Sequence, residues 1–227
     1  MQKSCEDFYD NLNVMSIFHG IEKAEMKSML KCLGSYIRDY NKEQCIFMSD
    51  DDIDAVGIIL SGKVHMIRED LWGNRTLLVT IKLGELFGET FACNMNQHAT
   101  VSFQAASDTR ILFLPFSRVM HSCSMACKFH HRLIENMVTI IASKNVTLMD
   151  KVDVISKKTL REKIATYLLQ EAGKQNSPYL DIPLGRVQLA EYLCADRSAL
   201  TRELNMMKEE GFIDFDKNSF HILKSYE

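Results

Sequence analysis

Apolar and polar positions change their rhythm once along the chain, near residue 125. From Phe8 to Leu33 the apolar set Ile17, Phe18, Ile21, Met26, Met29, Leu30 and Leu33 recurs at roughly helical spacing, which predicts short helices. From Tyr36 the pattern becomes β. Candidate strands are Cys45–Met48, Val56–Leu60, Lys63–Arg68, Thr76–Ile81, Val101–Ala105 and Arg110–Leu114, separated by turn-forming clusters such as Ser61-Gly62 and Gly73-Asn74. Many short strands at near-regular spacing predict an antiparallel β-barrel or jelly roll, because closure hides sheet edges that would otherwise pair with other chains.

Residues 126–152 contain neither Pro nor Gly and predict one long helix. Two apolar rows run along it. Leu133, Met137, Ile140 and Lys144 form one; Ile134, Val138, Ile141, Asn145 and Leu148 form its neighbour. One row suffices to dock a helix on its own core, so the second needs another partner. That partner is either a parallel copy of the helix in a homodimer or a second domain of the same chain. The candidate dimer contacts are Leu133, Met137, Ile140, Ile141 and Leu148. Beyond the rod the pattern predicts a helix (159–172), a short strand (179–182), two helices, and a hairpin in which 212–215 and 220–223 alternate about Asp216-Lys-Asn-Ser219. The predicted fold class is α+β in three parts: a β-barrel domain (1–125), a dimerisation helix (126–152) and a helical domain ending in a hairpin (153–227).

Hydrophobic residues are 46% and charged residues 25% of the 227, which excludes a disordered chain. The net charge is −3, so any site for nucleic acid must be local. No apolar run approaches 18 residues, which argues against a membrane-spanning helix. The opening residues lack the apolar centre of an export signal, so a cytoplasmic location is expected. Seven scattered cysteines are then read as reduced thiols.

The run Leu184 to Met207 carries the clearest chemistry. Leu189 and Leu193 give a first short helix an apolar face, Cys194-Ala195 makes a tight turn, and Asp196 is a candidate N-cap for a second helix. That helix turns Leu200, Leu204 and Met207 inward and presents Arg197, Ser198, Thr201 and Arg202 from its first turn and a half. A recognition helix reaches base edges in the major groove from this region. Arginine's fork can bond guanine O6 and N7 together, and Ser or Thr hydroxyls serve bases or phosphates. A lone helical hairpin with solvated arginines is the plainer alternative; the strand before it, the hairpin after it and the rod favour a winged helix-turn-helix. The basic group Lys157, Lys158, Arg161 and Lys163 is read either as extra phosphate contacts or as a solvated helix face.

On these residues the whole chain, over about 12–225, resembles the bacterial transcription-regulator family typified by the cyclic-AMP receptor protein and the fumarate–nitrate regulator. The matches are Leu60-Ser-Gly62-Lys-Val64, Gly84-Glu-Leu-Phe-Gly88-Glu89, the run from Ala105 to Pro115-Phe116, and Arg197-Ser-Ala-Leu-Thr-Arg202-Glu-Leu. The resemblance implies an effector-binding jelly roll, a dimerising helix, a winged helix-turn-helix on palindromic double-stranded promoter DNA, and contact with RNA polymerase. It implies that Arg202 reads a guanine and that Arg197 acts beside it. Ser198 stands where many members carry a glutamate, so preference at that step should differ. Cys194 stands where glycine commonly makes the turn.

The resemblance also implies an effector pocket in which a Gly-Glu pair meets the ribose of a cyclic nucleotide and an arginine followed by Ser or Thr holds its phosphate. Gly88 and Glu89 match the first. Counting back from Ala105 puts Ala99 and Thr100 at the second, and a shift by one offers only His98, largely neutral at physiological pH. A phosphate buried without a cation loses hydration for little return, so a cyclic nucleotide is not expected and the effector stays unassigned. Cys123 and Cys127, with His130 and His131 nearby, have the spacing for a metal or a reversible disulfide, against the plainer reading of small packed side chains. No nucleophile elbow, phosphate loop or zinc-protease motif points to an enzyme.

Overall fold

The computed structural model describes residues 12–94, 98–120 and 128–223. The chain divides into two compact units, Met1–Ile141 and Ala142–Glu227. After a single helical turn (Ser16–Phe18) and α1 (Lys23–Cys32), the first unit is β-rich, with eight strands among the described residues. These are β1 (Tyr36–Tyr40), β2 (Cys45–Phe47), β3 (Ala55–Ser61), β4 (Val64–Glu69), β5 (Arg75–Ile81), β6 (Leu86–Phe87), β7 (Ser102–Ala105) and β8 (Thr109–Pro115). They form two four-stranded antiparallel sheets, ordered β1-β8-β3-β6 and β2-β7-β4-β5. The expected barrel is therefore a jelly roll of two sheets, not one closed ring of hydrogen bonds. The six expected strands are present to within a residue or two at their ends, whereas the two-residue β6 is too short to carry a period-2 signal.

Strands β3 and β8 pair at the centre of the first sheet, with Ile58 opposite Leu112 and Gly57 opposite Phe113. Both are almost wholly apolar because both lie under cover. Phe47, Phe87, Phe103 and Phe113 fill the space between the sheets, with ring centroids 5.1–6.3 Å apart. Gly57 is required here, since a Cβ on it would sit 2.3 Å from the Phe87 ring. Two short helices, α2 (Glu89–Ala92) and α3 (Phe116–Met120), flank the sheets.

The long helix α4 (Lys128–Ile155) runs across the boundary between the units. Its first half docks on the jelly roll. Leu133 and Met137 are buried in that core, and Ile134, Ile140 and Ile141 lean on it. Asn136 donates to the carbonyls of Ile17 and His19 at 3.0 and 2.8 Å. This corrects the expectation for Leu133 and Met137: their own unit covers them, so they cannot meet a partner. Val138, Leu148, Val152 and Ile155 are exposed.

In the second unit the end of α4 packs with α5 (Leu160–Gln175), β9 (Tyr179–Asp181), α6 (Arg186–Tyr192), α7 (Arg197–Glu209) and the hairpin β10 (Ile213–Asp216) and β11 (Ser219–Ile222). Thr159 and Glu162 form a reciprocal capping box that fixes the start of α5. Val154, Ile164, Leu168, Leu189, Leu193, Leu200, Leu204 and Met207 make one apolar core. The hairpin turns through Lys217 and Asn218, and its β11 also pairs with β9, giving a three-stranded wing. No helix among the described residues is long and apolar enough to cross a membrane.

Candidate nucleic-acid interface

Helices α6 and α7 meet at a turn set by Cys194, whose φ of 51° is left-handed. The turn closes with Cys194 N donating to Glu191 O at 3.2 Å and Ala195 N donating to Ala190 O at 2.9 Å. Cys194 thus adopts the conformation glycine would, with the strain that a Cβ brings there. Asp196 caps α7: its Oδ1 accepts from Ser198 N at 2.8 Å, from Ala199 N at 3.1 Å, and from the Ser198 hydroxyl. These bonds, the Ser198 hydroxyl foremost, hold the Asp196 carboxyl below its usual range, and the nearby Arg202 charge adds to the effect.

Leu200, Leu204 and Met207 bury one face of α7, and Arg197, Ser198, Thr201 and Arg202 stand exposed on the other. The chemistry of the four is unequal. The Ser198 proton goes to the cap, and the Thr201 hydroxyl donates to Arg197 O at 2.9 Å. Both hydroxyls are left as acceptors. Among the described residues no salt bridge holds Arg197 or Arg202, so two unneutralised guanidinium groups project from the first turns of one helix.

The basic group before α6 behaves differently from the phosphate-contact expectation. Arg161 donates from Nε to Glu203 at 2.6 Å and from both terminal nitrogens to Glu210 at 2.5 and 2.9 Å. Lys157 pairs with Asp153 at 2.8 Å, and Lys163 Nζ donates to Leu193 O at 3.3 Å. Three of the four side chains are therefore engaged within the chain.

Sequence reasoning missed the residues that hold the wing. Arg186 lies over the rings of Phe215 and Phe220 at 4.8 and 5.0 Å, and burial pushes its pKa down. Lys208 lies 5.2 Å over Phe215 and pairs with Asp214 at 2.6 Å. The cations flank the hairpin phenylalanines only in three dimensions, so no local spacing could have shown the contacts.

In the jelly roll, Gly88 (φ 79°) turns the chain into α2 and Glu89 is buried. Ala99 is buried, its N–H donating to Asp51 O at 3.0 Å and its carbonyl accepting from Asp50 N at 2.7 Å. Thr100 is exposed, and His98 pairs outside with Asp52 at 2.7 Å. Of the four candidate pocket residues, Thr100 thus stands at the surface. Cys123 and Cys127 lie outside the described residues, among which no group of three or more His, Cys, Asp or Glu is placed to hold a metal. His130 is buried, and among the described residues neither ring nitrogen has a hydrogen-bond partner.

Comparison with known proteins agrees with this division. Residues 37–124 match the cyclic nucleotide-binding domain, and residues 162–225 match the Crp-like helix-turn-helix domain. The cyclic AMP receptor protein of Thermus thermophilus is 26% identical over 200 residues, covering 87% of each chain. The transcriptional activator protein FnrL of Cereibacter sphaeroides is 24% identical over 84% of this chain and 77% of its own. The solved structure of the Thermus thermophilus catabolite activator protein covers 91% of this chain and 93% of its own, with a TM-score of 0.54 at 24% identity, a likeness of fold.

Proposed function

Since the chain belongs to the Crp/Fnr family of DNA-binding transcription regulators, we propose that it works as a homodimer whose paired α7 helices read a palindromic promoter site, under an effector other than cyclic AMP. The observation that carries the DNA reading is the exposed pair Arg197 and Arg202 on a helix capped by Asp196, with no salt bridge to either among the described residues. A two-fold axis would set two such helices into successive major grooves, with half-site centres about 10 base pairs apart.

Dimerisation is supported by the second apolar row of α4, which touches the jelly roll at Ile134 and Ile141 and is exposed at Val138, Leu148, Val152 and Ile155. Ile134, Val138, Ile141, Asn145, Leu148, Val152 and Ile155 follow one another at steps of four and three, a heptad seam over three repeats. Val138, Asn145 and Val152 fall at one core position, and Ile134, Ile141, Leu148 and Ile155 at the other. β-Branched residues at the first position with Leu148 at the second fit a two-stranded parallel pair. The single Asn145 at a core position is the kind of residue that selects register and oligomer state against the higher assemblies that Ile at the second position would otherwise favour. The candidates Ile141 and Leu148 lie on this seam, while Ile140 lies on the row of the buried Leu133 and Met137.

The effector reading rests on what stands inside the jelly roll. Four phenylalanine rings fill it, and neither Ala99 nor Thr100 offers the cation that a cyclic phosphate needs. In the family's manner the bound dimer would act on transcription through RNA polymerase.

Selecting duplexes from a random-sequence pool with the purified protein tests the proposal. The expected result is a palindrome, bound with a stoichiometry of two chains, unaffected by cyclic AMP. Arg202→Ala should cost about 1–3 kcal/mol on that palindrome and relax preference at one symmetric base pair. Equal losses on the palindrome and on random DNA would reject the base-reading role.

A further inference from the structure

The Arg161 fork joins the start of α5 to the middle and the end of the helix that carries Arg197 and Arg202. Its Nε bonds Glu203, the residue next to Arg202, and its two terminal nitrogens grip Glu210 just beyond the last turn of α7. The guanidinium also lies 5.9 Å over the Phe212 ring. Its backbone lies inside the Thr159–Glu162 capping box, at the second position of α5. Three charge-assisted bonds thus run from a fixed helix start to two points on α7.

From this geometry we infer that Arg161 is a positioning residue for base reading: it sets the roll of α7 about its own axis and so aims Arg202. The apolar contacts of Leu200, Leu204 and Met207 decide which face of α7 points inward, but such contacts are non-directional and resist a small roll weakly. A planar fork bonded to two carboxylates has a fixed direction. The gain in aim matters because an extended arginine reaches beyond the roughly 6 Å outer radius of a helix, so a roll of about 10° moves its tip by more than ~1 Å. A recognition contact tolerates about 0.5 Å. With each of its three nitrogens bonded to Glu203 or Glu210, Arg161 is engaged within the chain and is not offered as a phosphate ligand, although it is a cation beside α7.

The inference rests on the base-reading role of Arg202, and the test separates the two. Wild type, Arg161→Lys, Arg161→Met, Glu203→Gln and Glu210→Gln are titrated by fluorescence anisotropy against the palindrome selected by wild type. The same duplex with the Arg202-dependent base pair exchanged, and a scrambled duplex, are titrated beside it across a salt series. Arg161→Lys keeps the charge and loses the fork. The expected outcome is that Arg161→Lys and Glu203→Gln lower the preference for the correct pair by about tenfold. Affinity for scrambled DNA and the slope of log affinity against log salt should stay at their wild-type values. A slope shallower by about one, with equal loss on every duplex, would make Arg161 a phosphate contact and overturn the inference. Wild-type preference in all four variants, each shown folded by its thermal melt, would reduce the fork to a stabilising contact and overturn it too. Absence of base preference in wild type would instead reject the base-reading role itself.

Discussion

Replacing Leu148 by Ala separates what holds the protomer together from what joins two protomers. Leu148 is 61% exposed on α4, whereas Leu133, on the adjoining row of the same helix, is 0% exposed. In the isolated protomer Leu148→Ala removes little packing, and a change within about 0.5 kcal/mol is expected. In a two-stranded coil the same side chain enters a hole of the facing helix, where Leu→Ala costs about 2–5 kcal/mol. Both strands lose it, so even the low end of that range gives about 4 kcal/mol per dimer, or roughly a thousandfold rise in the dimer dissociation constant. Sedimentation equilibrium across a dilution series reads that constant directly. Leu133→Ala is the counterpart: it should lower the stability of the first unit by about 2–5 kcal/mol while leaving a folded fraction that still pairs. An unchanged dimer constant for Leu148→Ala would refute the seam. So would a melt showing that Leu148→Ala destabilises the protomer as deeply as Leu133→Ala.

Asn145→Val should tighten the dimer in the same sedimentation experiment while admitting other registers or higher oligomers, because a single Asn on such a seam selects register at a cost in stability. Cys194→Gly should stabilise the second unit by about 1 kcal/mol, since the left-handed φ of 51° strains any residue with a Cβ; a urea midpoint that falls instead would show that the thiol contributes packing. Acid should weaken the second unit. Asp196, Asp214, Glu210 and Asp153 all have carboxyl pKa values lowered on folding, by the Ser198 hydroxyl, Lys208, Arg161 and Lys157 respectively. Groups lowered on folding lend stability that is complete above their unfolded values near 4 and lost as pH falls through the folded ones. Melting temperature should therefore be flat from about pH 5 to 8 and drop below about pH 4; a loss beginning at neutral pH would point to a different group.

The parts of this protein legible in one dimension are those whose signal is local. The β3 and β8 runs, the proline-free rod, the Asp196 cap and the 4,3 spacing of Leu200, Leu204 and Met207 each declare an element and the face it buries. The arginines of α7 were legible for the same reason, since a capped amphipathic helix assigns inward and outward positions by its period alone. Strand β6 was not, because two residues have no period. The wing clamp of Arg186 and Lys208 was not, because its partners lie some thirty and seven residues away along the chain.

Local pattern alone therefore fixed the longer helices and strands, which residues they turn outward, and that two arginines stand on the exposed face at the start of α7. Two matters were left to tertiary structure. On α4 two apolar rows are equivalent until the jelly roll buries Leu133 and Met137 on one and leaves Val138, Leu148 and Val152 exposed on the other. Around α7, a string of cations is uniform until folding brings carboxylates within reach: Arg161 meets Glu203 and Glu210 and is neutralised, while Arg197 and Arg202 have no such pairing among the described residues. Period is a property of neighbours along the chain, but coverage and charge pairing depend on distances through space, which only the packed chain sets.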